Sequence, residues 1–313
     1  MKMLLLGANG QVGFELQRSL APLGELIAAT RSGTLAGGIP CAKIDIADPS
    51  SLARGLESAD ADIVVNAAAY TAVDRAEDEP ALARASNAAA PAQIGAWAAQ
   101  HGALVVHYST DYVFDGRGDR PYREEDPTGA LGVYGRSKLE GEIALRASGC
   151  DHLLLRTAWV YGARGANFLR TMLRLARDRD RLTVVDDQHG APTSSRLVAA
   201  TTAAMLARWL ALGGAHANLS GTYHVAASGS TTWCGFARAI VARAAAAGIL
   251  ARTPEVAAIR SVDFPTKAAR PAYSVLDTTR LRERFELHLP RWEVGLDAVL
   301  GEIVENTATG IHA

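Results

Sequence analysis

Short, almost wholly apolar runs alternate with longer stretches of helical period through the first half of the chain. Residues 1–6, 26–30, 63–66, 103–108 and 153–156 are such runs, and apolar runs of this length predict strands buried on both faces, as in a parallel sheet. Residues 42–46 add a short third strand. Residues 14–20, 49–58 and 80–100 carry helical periodicity, as does the segment that begins near 134. Strand and helix taking turns in this way predicts an α/β fold, a doubly wound parallel sheet. Beyond about residue 163 the alternation loosens. Helices are expected there over 167–177, 197–212, 232–247 and 292–304, with strands at 182–185 and 221–226. The division that results is a first domain at 1–163, rejoined by about 190–226, and a smaller C-terminal α/β region covering most of 164–313, which would take the substrate.

The turn after the first strand is glycine-rich: Gly7, Gly10 and Gly13 fall between residue 6 and the helix that follows, with Gln11 and Val12 between the second and third. Strand, glycine turn and helix N-terminus together make a place where backbone amides can meet a pyrophosphate, and this gives the sheet its Rossmann-type reading. The end of the second strand is where dinucleotide sites usually carry an acid for the ribose hydroxyls. Here it reads Thr30-Arg31-Ser32, with no acid between residues 26 and 38. Arg31 can pair with a 2′-phosphate through its fork, so NADPH is expected to serve better than NADH, with both usable.

Composition narrows the partners. The 313 residues are 49% hydrophobic, and 32 basic side chains balance 33 acidic ones. This leaves no electrostatic footprint for nucleic acid or an anionic membrane. No apolar run reaches membrane-spanning length. Cys41, Cys150 and Cys234 are odd in number and far apart, which points to a reducing, cytoplasmic compartment rather than a disulfide framework. The histidines show no metal-ligand spacing, so no catalytic metal is expected.

The chemistry concentrates in Tyr134 and Lys138, one helical turn apart. The chain has 8 Tyr and the four lysines Lys2, Lys43, Lys138 and Lys267, so chance would give about 0.1 Tyr-x-x-x-Lys pairs. An ammonium group beside a phenol is expected to draw its proton affinity down toward the working range, making Tyr134 an acid/base candidate. Thr110, at the end of the strand 103–108 and its extension, can hydrogen-bond a carbonyl oxygen. A dinucleotide loop, a strand-end hydroxyl and a Tyr/Lys helix are what hydride transfer to a carbonyl requires.

The motifs Gly7–Gly13, Asn66–Tyr70, Ser109–Asp115 and Tyr134–Lys138 resemble the extended short-chain dehydrogenase/reductases. More narrowly, residues 10–16, 107–114, 156–161 and 187–193 are similar to the dTDP-4-dehydrorhamnose reductase family. The resemblance implies reduction of the C4 ketone of a dTDP-linked 4-keto-deoxyhexose, giving dTDP-L-rhamnose. It implies Tyr134 as acid/base, with Lys138 and Thr110, and sugar contacts from Thr110, Asp111 and Trp159. It lines the cofactor with Gly10–Val12, Asp45, Ile46, Ala69, Tyr70, Thr71, Tyr108 and Lys138, and gives the diphosphate to the second region with Arg270. Members can dimerise around Mg²⁺ held by carboxylates, one of them three residues after Gly-Ala-Pro-Thr. Here that position is Arg196, so any homodimer is expected not to be bridged by metal. Two alternatives stay open: an epimerase or dehydratase on the same scaffold, and a non-catalytic nucleotide-binding regulatory subunit. A dehydratase would carry an Asp-Glu pair after Thr110, whereas this chain has Asp111-Tyr112.

Overall fold

A computed structural model describes residues 1–213 and 219–308. In chain order the first half runs β1 (Lys2–Leu6), α1 (Gln11–Leu20), β2 (Glu25–Thr30), β3 (Ala42–Lys43), α2 (Pro49–Ala59), β4 (Ile63–Asn66), α3 (Val73–Ala76), α4 (Pro80–Arg84), α5 (Ala90–His101), β5 (Leu104–Thr110), α6 (Val133–Ala147) and β6 (His152–Thr157). The second half runs β7 (Val160–Tyr161), α7 (Phe168–Asp178), β8 (Arg181–Val185), β9 (His189–Gly190), β10 (Thr193–Ser194), α8 (Ser195–Ala211), β11 (Gly221–His224), β12 (Thr231–Thr232), α9 (Trp233–Ala246), β13 (Glu255–Ile259), α10 (Thr279–Phe285) and α11 (Trp292–Ala308).

Seven strands form one parallel sheet in the order β11-β6-β5-β4-β1-β2-β3. Its central strands are buried on both faces, which is why they read as continuous apolar runs. On one face Leu16, Leu20, Val198, Leu206, Leu281 and Phe285 close the core, bringing α1, α8 and α10 against the sheet. On the other, Leu52, Leu56, Ile94, Trp97 and Leu145 do the same from α2, α5 and α6. A separate apolar cluster joins α7, α9 and α11 to β8 through Leu169, Leu173, Phe236, Ile240 and Leu296. That second lobe sits beyond the C-terminal ends of the sheet strands, the edge at which open α/β sheets hold ligands.

Several elements differ from the sequence expectation. The third strand stops at Lys43, because at the sheet edge only two residues pair with β2. Asp45 and Ile46 instead turn toward α2, with the Asp45 amide bonded to Ser51 Oγ at 3.0 Å and the Ala47 amide to Asp45 Oδ1 at 3.0 Å. The predicted helix 80–100 is interrupted by a widened π turn at Ala85–Ala89. The short α3, β13 and α10 carry too few periodic positions to have been anticipated.

Helix α6 is held in place from several sides. Glu142 on its inner face accepts two hydrogen bonds from Arg156 of β6, at 2.9 and 2.7 Å, with both side chains almost wholly buried. A buried pair of this kind fixes geometry more than it adds stability. Gly141 lets the helix pass the π turn: a Cβ there would lie 2.0 Å from the Asn87 carbonyl oxygen.

Arg196, at the start of α8, lies between two carboxylates. Its Nη2 is 2.7 Å from Glu302 of α11, and its Nε is 3.7 Å from Glu15 of α1. The guanidinium thus supplies the positive charge at this three-helix junction. Activity and thermal stability are therefore expected to be unchanged in excess EDTA, with no divalent ion bridging two subunits here, and Arg196→Ala should cost about 1 kcal/mol of stability. Loss of activity or of a dimer on chelation, restored by Mg²⁺, would contradict this.

Candidate functional site

The glycine loop packs onto the end of β4. Gly7 has φ +79°, and a Cβ there would lie 2.7 Å from the Ala68 amide nitrogen; at Gly13 it would lie 2.1 Å from the Gly7 carbonyl oxygen. Gly10 precedes α1 as its N-cap, and no side chain caps that helix. The first amides of α1 and its dipole are therefore left for an anion, and the cradle fits a dinucleotide pyrophosphate. Val12 packs into the core below. Gln11 Oε1 accepts a hydrogen bond from Asn167 at 2.9 Å, tying the loop to the start of the second lobe.

At the end of β2, Thr30 is buried and its hydroxyl accepts from the amides of Gly33 (3.0 Å) and Thr34 (3.1 Å). Thr30 thus builds its own turn. Arg31 beside it is exposed and has no carboxylate partner among the described residues. Asp45 and Ile46 follow Ile44, whose amide bonds to the Thr30 carbonyl, so they border the same strand end. The 69–71 segment is clamped by Asn87, which accepts from the Tyr70 amide and donates to the Tyr70 carbonyl, both at 2.9 Å, and also donates to Ser137 Oγ at 3.0 Å. Ala69 and Thr71 flank that clamp. The Tyr70 hydroxyl donates to Glu79 at 2.7 Å.

Helix α6 starts against the turn that follows β5. A Cβ on Gly135 would lie 2.3 Å from the Tyr112 carbonyl oxygen, so only glycine allows this docking. The result sets Tyr134 beside Thr110, whose hydroxyl donates to Asp111 Oδ1 at 3.1 Å, and edge-on to the Tyr112 ring. Tyr134 also borders a narrow cleft that runs between Gly132 and the 268–271 loop. Lys138, one turn on and 2% exposed, donates to the Tyr108 carbonyl at 2.6 Å and lies 3.2 Å from His107 Nε2. The Tyr108 hydroxyl is paired with Thr202 of α8 at 2.8 Å.

The electrostatics correct one expectation. Burial pushes the Tyr134 phenol up to about 12, against the opposing hydrogen bond from Thr110, rather than Lys138 drawing it down. Burial also brings Lys138 down to about 8, with Glu142 working against it. Spacing places the two groups on one face but cannot weigh desolvation, which here is the larger effect. The arrangement keeps the phenol protonated at neutral pH, the state a proton donor needs.

Asp111 is 2% exposed, its Oδ2 has no hydrogen-bond partner among the described residues, and burial raises its carboxyl to about 6 against hydrogen bonds from Ser274 and Thr110. Trp159 has φ +47°, uncommon for a bulky residue. Its indole lies flat on Trp233, with centroids 3.6 Å apart, and a Cβ on Gly190 would meet it at 2.4 Å. Arg270 departs from expectation: its fork is closed on Asp74, at 2.7 and 3.1 Å, instead of facing the second lobe as a free diphosphate partner. Sequence reasoning missed Asn87, His107 and Trp233. A histidine inside an apolar strand is the one signal that was available; Asn87 in an alanine-rich helix and Trp233 at a helix start gave none.

Among the described residues no group of three or more His, Cys, Asp or Glu is placed to hold a metal ion, and no helix is long and apolar enough to cross a membrane. A family model described as the RmlD substrate binding domain matches residues 1–305. The dTDP-4-dehydrorhamnose reductase of Burkholderia thailandensis is 48% identical, the match covering 95% of this chain and 97% of that one. The enzyme of the same name from Salmonella typhimurium is 45% identical over 98% of this chain and 99% of the relative. Among solved structures, the dTDP-4-dehydrorhamnose reductase of Bacillus anthracis, in complex with NADP, superposes with a TM-score of 0.83 at 32% identity, covering 96% of this chain and 99% of that one. The chain belongs to the dTDP-4-dehydrorhamnose reductase family.

Proposed function

We infer that the protein reduces the C4 ketone of dTDP-4-dehydro-L-rhamnose to the hydroxyl of dTDP-L-rhamnose, using NADPH. The observation that carries this is the grouping of half-buried Tyr134 with buried Thr110 and Lys138 beside a glycine cradle that fits a dinucleotide. NADPH supplies the hydride. The protein supplies orientation and a proton: Thr110 offers its hydroxyl to the ketone oxygen, and Tyr134 gives its proton to that oxygen as negative charge develops there. Lys138, one helical turn on, is proposed to offset the phenolate that is left. Exclusion of water strengthens each of these contacts. Asp111, with a free buried carboxylate oxygen, is suited to accept a sugar hydroxyl, and Trp159, stacked on Trp233, is proposed to contact the sugar.

We place the nucleoside diphosphate against the second lobe. Arg270 would join it only by exchanging its Asp74 partner for phosphate, and any homodimer would form without a bridging metal. A dehydratase is disfavoured because the residue after Asp111 is Tyr112, which leaves no second acid. A purely regulatory role is disfavoured by the intact proton-donating set.

Tyr134→Phe removes only the phenolic hydroxyl. It should keep the fold and NADPH affinity and lower turnover by roughly 10²–10⁴-fold; reduction of the sugar at an unchanged rate would overturn the mechanism. Arg31, exposed at the end of β2, is proposed to read the 2′-phosphate. A charged hydrogen bond of about 1.5–3 kcal/mol corresponds to a roughly ten- to hundredfold preference for NADPH. Arg31→Ala is expected to raise the KM for NADPH far more than that for NADH, and equal effects on the two would show that Arg31 does not touch the phosphate.

A further inference from the structure

Two buried polar side chains next to the reacting groups have no part in the mechanism above. His107 of β5 and Asn66 of β4 are each 1% exposed and stand opposite one another in the sheet. The imidazole lies between two groups: its Nδ1 is 3.1 Å from Asn66 Nδ2, and its Nε2 is 3.2 Å from Lys138 Nζ. Buried and next to a cation, His107 has a proton affinity held well below the ordinary imidazole value, so it is neutral. A neutral imidazole has one donor and one acceptor.

That restriction links three side chains. With the Asn66 amide nitrogen facing Nδ1, the ring proton sits on Nε2 and points at Lys138, an arrangement that suits only an uncharged amine. With the amide turned so that its oxygen accepts from Nδ1–H, Nε2 becomes an acceptor and Lys138 can be an ammonium. The two amide orientations have the same shape. Among the described residues the competing contact on the Asn66 oxygen is the Ala68 amide at 3.3 Å, a long bond that the turned amide gives up and replaces with two facing donors.

A buried ammonium needs acceptors. Tyr108 of β5 gives Lys138 one through its carbonyl. The other titratable groups near it are Tyr134 and Glu142, both on its own helix, and the Glu142 carboxylate is already engaged by Arg156 of β6 and by Arg146. We propose that His107 is the positioning residue of Lys138: as the Nδ1–H tautomer, seated on the Asn66 amide oxygen, it presents Nε2 as the second acceptor that keeps Lys138 charged where water is excluded. The third N–H of Lys138 is then left to face the ligand. The kinetic consequence rests on the role of Lys138 in the reduction inferred above, whereas the tautomer does not.

The test has two arms. In protein labelled with ¹⁵N-histidine, the cross-peaks missing from His107→Gln identify His107, and long-range ¹H–¹⁵N spectra near neutral pH should show its proton on Nδ1. A proton on Nε2 would overturn the proposal whatever the protein catalyses. In the second arm, His107→Phe removes the acceptor while His107→Gln carries an amide oxygen to the place of Nε2. Loss of a hydrogen bond to a charged group should move the alkaline limb of the kcat/KM profile down by about one to two pH units in His107→Phe, with His107→Gln close to wild type. An unmoved limb accompanied only by a lower Tm would mean that His107 merely fills space, and an upward shift would mean that it donates to a neutral amine; either result overturns the proposal. Should His107→Phe fail to fold, the tautomer measured in the intact protein decides.

Discussion

A phenol and an amine one helical turn apart, the amine buried and the phenol half-buried at the edge of a cleft, are the constraint around which this molecule is arranged. Taking Lys138 out of solvent lowers its hold on a proton, and taking Tyr134 out of solvent tightens the hold of the phenol on its own. Neither group could be placed so by α6 alone. Gly135 allows the helix start to touch the Tyr112 carbonyl, Gly141 allows its middle to touch the π turn, and the Glu142–Arg156 pair locks its inner face to β6. The Asn87 side chain then joins that helix, through Ser137, to the Tyr70 backbone on the cofactor side of the crevice. Each device is costly on its own terms, a glycine in a helix or an ion pair without water, and each is explained by the precision the reacting atoms demand.

The cofactor side and the substrate side are joined by specific side-chain contacts. Gln11 in the glycine loop is bonded to Asn167, which itself caps α7 by accepting from the Arg170 amide. The first helix of the second lobe is therefore registered on the pyrophosphate cradle. Loop 268–271 reaches back to the first lobe through Asp74, which accepts from both the Ala268 amide and Arg270. These contacts place the Trp159–Trp233 stack and the Tyr134 cleft at the junction of the two lobes.

What could be read from the sequence was local. The glycine turn, the apolar strands and the Tyr134/Lys138 spacing are each set by residues close in the chain, and the parallel sheet followed from their alternation. What could not be read depends on distant partners. Arg270 is taken by Asp74, 196 positions earlier. Residues 45 and 46 were read as strand because the 42–46 run is apolar enough, but at the sheet edge the pairing with β2 ends before them. The proton affinity of Tyr134 was expected to fall because spacing reveals a neighbouring charge; it rises because spacing does not reveal burial. Arg196 was visible as a departure from the family pattern, but only the fold shows that Glu15 and Glu302 lie on either side of it.

The central claim, that Tyr134 and its partners serve reduction of a nucleotide-linked 4-keto sugar, is tested most directly by offering the purified protein dTDP-4-dehydro-L-rhamnose and NADPH in D₂O and analysing both products. The account predicts one NADPH oxidised per dTDP-L-rhamnose formed, with no solvent deuterium bound to sugar carbon. Recovery of the 4-keto sugar carrying deuterium on carbon, with NADPH unconsumed, would show enolisation chemistry in place of reduction and would contradict it.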